Sequence, residues 1–173
     1  MVINGQEINV FACSSGTGKT YLADKDNRFV DLDREKYECK YLHLKKNLSN
    51  VEIEQLKDKV LVKNPEFPEN FVKRIFQLLK NGKTLLVVPE PLIMDILKRY
   101  NLKYVLIYPS KDCKNEYKER LLKRGNSEEF IGWYDMFFDK YYNQNMADTD
   151  AVLKIEMAPG EYLEDVIKRL QWD

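Results

Sequence analysis

Residues 10–23 read VFACSSGTGKTYLA, and this stretch constrains the chain more than any other. An apolar run leads into a loop with two glycines, and the loop leads straight into a segment of helical character. Gly16 and Gly18 permit backbone dihedrals that turn successive N–H groups toward one point. A helix starting just after them aims its positive N-terminal dipole at the same point. Residues 13–20, CSSGTGKT, differ at one position from the pattern G-x-x-x-x-G-K-[ST] of phosphate-binding loops. Cys13 stands where the first glycine belongs, which a small residue tolerates if its φ is negative. On this reading Ser14, Ser15, Gly16, Thr17, Gly18, Lys19 and Thr20 cradle nucleotide phosphates. Lys19 reaches the β- and γ-phosphates, and the Thr20 hydroxyl binds Mg²⁺. The alternative is a degenerate or coincidental turn.

The rest of the chain alternates short apolar runs with amphipathic segments. Strands are expected at 8–12, 29–33, 84–88, 104–108 and 151–157. Helices are expected from Gly18, from Pro68 to Asn81-Gly82, from Pro91 to Tyr100, over 112–124 and 127–143, and over 161–170. Pro68 and Pro91 suit a first helical turn, and Asn126 with Glu129 has capping-box spacing. The segment 60–62 is open between strand and helix. Strand–helix alternation implies an α/β fold with a parallel sheet and helices on both faces. With 173 residues, one domain covering 1–173 is the expectation.

Bulk properties exclude more than they assign. Lysine plus arginine and aspartate plus glutamate number 28 each, so no general grip on nucleic acid is expected. No apolar window is long enough to span a bilayer. Three scattered cysteines suggest neither a disulfide framework nor a metal site, and a reducing cytoplasm fits them. The chain has no D-x-x-G or N-K-x-D of a GTPase switch and no L-S-G-G-Q of a transporter ATPase.

The ordered set SSGTGKTYLA, FVDLD, NPEFPENFVKRI, YPSKDCKNEYKERLLKRGN and KIEMAPGEYLEDVI resembles the P-loop kinases of the nucleoside monophosphate kinase superfamily, in particular the bacteriophage-encoded nucleotide-kinase-like proteins. The resemblance implies a P-loop NTPase three-layer sandwich. Its five-stranded parallel sheet would run in the order 2-3-1-4-5, with a small helical lid over roughly 110–128 and an acceptor-binding helical region. It also implies that Arg120 and Arg124, four apart on one helix, neutralise charge on the transferring phosphoryl group. A solvated basic face near a helix C-terminus explains the same two residues.

Asp33 ends the FVDLD strand, on the side where open α/β sheets bind ligands. It would hold acceptor hydroxyls, a proton or metal-bound water, or else cap the next helix. Glu90 is a weaker candidate for a metal-water contact. Lys73 and Arg74 are candidates for an acceptor phosphate or for plain surface charge. The helix after strand three carries Ile93, Met94 and Asp95 where adenylate-kinase-like enzymes often place an arginine, which leaves the acceptor open. APGEYL would lie beside the adenine or form a simple turn. The aromatic-rich segment 130–142 reads as core or as a homodimer face, and His43 as non-catalytic. The expectation is an ATP- and Mg²⁺-dependent phosphotransferase acting on a small acceptor, foremost a nucleoside or deoxynucleoside monophosphate. The alternatives are a kinase of a non-nucleotide small molecule and a non-catalytic nucleotide-binding protein.

Overall fold

The computed structural model describes residues 2, 3, 5–41 and 61–170. Along the chain the elements are β1 (Val2–Ile3), β2 (Gln6–Glu7), β3 (Val10–Cys13), α1 (Lys19–Lys25), β4 (Phe29–Asp31), α2 (Glu35–Glu38), β5 (Cys39–Tyr41) and β6 (Leu61–Lys63). They continue with α3 (Glu69–Lys80), β7 (Thr84–Val87), α4 (Pro91–Arg99), β8 (Val105–Pro109), a 3-10 turn (Lys111–Cys113), α5 (Lys114–Lys123), α6 (Glu128–Ala147), β9 (Leu153–Met157) and α7 (Leu163–Arg169). Two compact units emerge, Met1–Leu32 with Leu78–Asp173, and Asp33–Gln77. The second boundary falls inside α3.

The larger unit is an α/β layer structure built on a five-stranded parallel sheet, with β4, β7, β3, β8 and β9 side by side in that order. Its central strands are buried on both faces, which is why VFAC, TLLV and VLIYP read as unbroken apolar runs rather than alternating ones. Register sorts their side chains. Phe11 and Cys13 lie beside Leu86, Val105 and Ile107, and this face packs on Leu22 of α1 and on Leu163, Val166 and Ile167 of α7. On the opposite face Tyr108 meets Tyr142 of α6 edge-on at 5.9 Å. Helices therefore flank the sheet. Phe11, Leu86 and Ile107 are fully buried, each worth roughly 1.5–3 kcal/mol of burial. A hairpin pairing β1 with β2, turned at Gly5 with φ 76°, precedes the sheet. It gave no signal in the sequence.

Among the described residues of the smaller unit, Tyr37 joins three others. Its carbonyl accepts from Asn64 Nδ2 at 2.9 Å and from Asn70 Nδ2 at 3.1 Å, and its ring meets Phe71 edge-on at 5.4 Å. Of the segment 60–62, open between strand and helix in the sequence, Leu61 and Val62 belong with Lys63 to β6, which pairs antiparallel with Cys39–Tyr41.

The expected elements are present with shifted ends. The strand expected over 29–33 stops at Asp31 and that over 8–12 runs from Val10 to Cys13, and α3 starts one residue after Pro68. The N-cap of α6 is Ser127, whose side chain accepts from the Phe130 N–H at 3.2 Å, not Asn126. The Asn126 N–H instead bonds back to Leu121 O, closing the preceding helix. Ser127→Ala should therefore lower stability by about 1 kcal/mol, read as a shift in the urea midpoint. Asn126→Ala should not show that capping loss.

Candidate functional site

The loop between β3 and α1 turns where the sequence needs glycine. Gly16 has φ 83° and Gly18 has φ 99°, a region that costs an ordinary side chain roughly 1 kcal/mol or more. A side chain at Gly16 would also crowd the Tyr117 ring, which lies 3.0 Å from a Cβ built there. Cys13 has no such demand. It is the last residue of β3 and is absent from the positive-φ positions. Its side chain is fully buried in the core cluster. The departure from the loop pattern thus lies in the strand, and a glycine there would remove core packing.

Three loop carbonyls have side-chain or backbone donors, two of them from outside the loop. Ser14 O accepts from Thr17 Oγ1 at 2.9 Å, Gly16 O from an Arg120 Nη at 3.4 Å, and Thr17 O from the Leu163 N–H at 2.8 Å. A trans peptide is planar, with C=O and the next N–H pointing in opposite directions. Fixing Gly16 O and Thr17 O therefore turns the N–H groups of Thr17 and Gly18 the other way. Among the described residues, the N–H groups of Ser15, Gly16 and Gly18 donate to no acceptor within hydrogen-bonding distance. Amides of this kind, followed by the first turn of α1, form a concavity suited to an anion.

Two side chains complete the cradle. Lys19 is 8 % exposed, and its Nζ donates to Cys13 O at 3.1 Å and Ser14 O at 3.0 Å. Thr20, one residue later and exposed, donates its hydroxyl to Asp31 Oδ2 at 2.7 Å. Asp31 is the last residue of β4, and its register beside Leu86 puts it on the sheet face that carries α1. A carboxylate one bond behind a threonine hydroxyl is the donor set expected next to a hard divalent cation. Mg²⁺ takes one or two protein oxygens and completes its shell with water and phosphate, so it needs no cluster of carboxylates. Among the described residues no group of three or more histidine, cysteine or acidic side chains gathers to hold a metal.

The remaining candidates scatter. Asp33 belongs to the smaller unit, where its Oδ1 accepts from the Glu35 N–H at 3.0 Å at the start of α2. The N-cap position of that helix is taken by Arg34, with no side-chain cap bond. Asp31, not Asp33, is the acid that meets Thr20, at the end of a strand that stops two residues sooner than expected. Glu90 takes the N-cap position of α4 without a side-chain capping bond. Arg74 donates to Gln77 Oε1 at 2.9 Å on the smaller unit. His43 lies outside the described residues.

The two arginines part company. Arg124 is exposed at the end of α5. The Arg120 side chain is 11 % exposed and ion-paired with Glu116, and its second Nη donates to Glu161 O at 2.9 Å. Its guanidinium carbon lies 4.6 Å from the Tyr117 ring centre and 3.9 Å from that of Tyr162. The expected lid segment carries Cys113, Tyr117 and Leu121, all essentially fully buried. The APGEYL turn is stitched by Ala158 N–H to Glu161 Oε2 at 2.8 Å and by Gly160 N–H to Glu116 Oε2 at 2.9 Å. Tyr162 lies beside Gly18, 3.5 Å from a Cβ built there.

Burial pushes the Cys13 thiol up to about 12 against the weaker pull of Lys19, so at neutral pH it is a protonated core group rather than a nucleophile. The three cysteines are free, with Cys13 and Cys113 buried and Cys39 partly exposed. Alkylation of the native protein, read by peptide mass spectrometry, should therefore mark Cys39 alone, and all three should react in guanidinium. No family model and no curated protein matches the chain, so the site's own geometry carries the functional argument.

Proposed function

We propose that the protein is an ATP- and Mg²⁺-dependent phosphotransferase acting on a small acceptor, foremost a nucleoside monophosphate. The observation that carries this reading is the 14–20 loop. It has unpartnered amides at Ser15, Gly16 and Gly18, a buried Lys19 ammonium at its neck, and Thr20 backed by Asp31. The setting supports it too, since the loop joins a central parallel strand to a helix. Counted in chain order, the five parallel strands lie 2-3-1-4-5, the order the resemblance implies for a P-loop kinase sandwich.

In this reading the loop amides and Lys19 bind the donor's β- and γ-phosphates, exchanging the Cys13 and Ser14 carbonyls for phosphate oxygens at the ammonium. The Thr20 oxygen would hold Mg²⁺ while its hydroxyl keeps donating to Asp31. Bound there, the metal offsets charge on the transferring group. The protein contributes positioning and charge complementarity rather than a covalent intermediate. Asp31 does from the second strand what an acid after the third strand does in many phosphate-loop proteins. Here β7 is followed by Val88, Pro89 and Glu90, and Glu90 takes the N-cap position of α4.

Lys19→Ala should abolish phosphoryl transfer while lowering stability by only about 1 kcal/mol, because Ser14 O keeps its Thr17 bond. A coupled ATPase assay over a panel of nucleotide and non-nucleotide acceptors, alongside a thermal melt, measures both. Wild-type turnover in that variant removes the donor site, and turnover confined to a non-nucleotide acceptor reassigns the substrate. Asp31→Asn keeps a hydrogen-bond acceptor for Thr20 but removes the charge. Its Mg²⁺ requirement in the same assay should rise by roughly tenfold, the scale of a lost outer-shell partner. ATP binding measured without metal should change little.

A further inference from the structure

We infer that Arg120 is a positioning residue for the loop, acting on donor binding through the 16–17 peptide rather than on the transferring group. The inference rests on the loop being the donor-phosphate site and assigns Arg120 a different task from a lid arginine.

The guanidinium does four things at once. One Nη donates to Gly16 O, and the other donates to Glu161 O and pairs with Glu116. Its carbon lies close over the rings of Tyr117 and Tyr162. Those two rings also lie beside the loop's glycines, Tyr117 at Gly16 and Tyr162 at Gly18. Glu116 in turn holds the Gly160 N–H, and Leu163, the first residue of α7, holds Thr17 O. Arg120 is thus the shared partner of α5, the 158–162 turn and the loop.

Gly16 and Gly18 are the loop's most permissive residues, and the peptides between them can rotate at little steric expense. Anchoring their carbonyls outward leaves the Thr17 and Gly18 N–H groups turned the other way before any ligand arrives. Preorganisation of that kind strengthens binding by sparing the ligand the ordering of the loop. It acts alike on bound donor and transition state, so it lowers KM without raising kcat.

The test uses full-length protein, wild type, Arg120→Lys and Glu116→Gln. The lysine keeps the charge but has no planar fork to lie on two rings and reach two carbonyls. Thermal melts confirm that each variant folds. In nucleotide-free protein, NMR hydrogen exchange of the Leu163 amide should accelerate by about tenfold or more in Arg120→Lys, while the amide of Ile107 in β8 stays protected. Calorimetry should show Mg·ATP binding weakened by about tenfold, and kinetics should show a raised KM for ATP with kcat within about twofold of wild type. Glu116→Gln should move the same readouts in the same direction. Unchanged Leu163 exchange or unchanged ATP affinity in Arg120→Lys overturns the inference. A fall in kcat with affinity retained overturns it in favour of direct contact with the transferring group. Wild-type protein that binds no ATP removes the donor-site reading and the ligand half of this inference with it, while the exchange of Leu163 still accepts or rejects the clamp.

Discussion

Two peptide planes set what this loop can bind. Arg120 holds the carbonyl of Gly16 and the Leu163 N–H holds the carbonyl of Thr17. Planarity then dictates where the next N–H groups point. Much of the surrounding architecture serves that arrangement. β3 delivers the loop to the end of the sheet, and α1 leaves at once from Gly18. α7 is seated by Leu163, Val166 and Ile167 on the face that carries Phe11 and Cys13, which fixes the height at which the Leu163 amide meets the loop. The core and the site therefore share one scaffold, and a cavity under α7 would be felt at Thr17 before it was felt at the far end of the sheet.

Charge is distributed with similar economy. The whole chain is neutral, and the positive potential at the loop comes from amide dipoles, the α1 terminus and the buried Lys19. An ammonium at that depth is tolerable because two carbonyls solvate it. Asp31 meets Thr20 at the exposed edge of the same site. The nearest thiol is silenced by its own burial, which removes a competing nucleophile from beside the cradle.

Legibility followed the range of the signal. The strand, the GTGKT turn and the helix after it could be read directly, because each depends on neighbours within a few residues. The parallel sheet was legible from runs such as TLLV and VLIYP, since strands buried on both faces have no polar side to show. Positions that depend on where an element stops were less secure. Ending β4 at Asp31 instead of residue 33 puts Asp31 beside Thr20 and leaves Asp33 at the start of α2. Starting α6 after Ser127 moves the cap by one residue. The β1–β2 hairpin, two residues a side, is too short to leave a periodic trace. Within Asp33–Gln77 the Asn64 and Asn70 side chains meet at the Tyr37 carbonyl, a backbone atom that no side-chain pattern reports.

The arginine pair carries the deeper lesson about reading helices. Spacing of four puts Arg120 and Arg124 on one side of α5, and from sequence they look equivalent. Depth separates them. Arg120 sits three residues after Tyr117 and one before Leu121, both essentially fully buried, so its stem is carried inward and its head reaches backbone carbonyls across the loop. Arg124 falls where the helix ends and the chain turns through Gly125 at φ 88°, so nothing closes over it. Helical periodicity supplies direction but not distance from the core, and a guanidinium's chemistry depends on that distance. At the surface it is a hydrated charge worth little to structure. Beside buried carbonyls and aromatic faces it becomes a rigid connector, because five donors on one plane can satisfy several elements together.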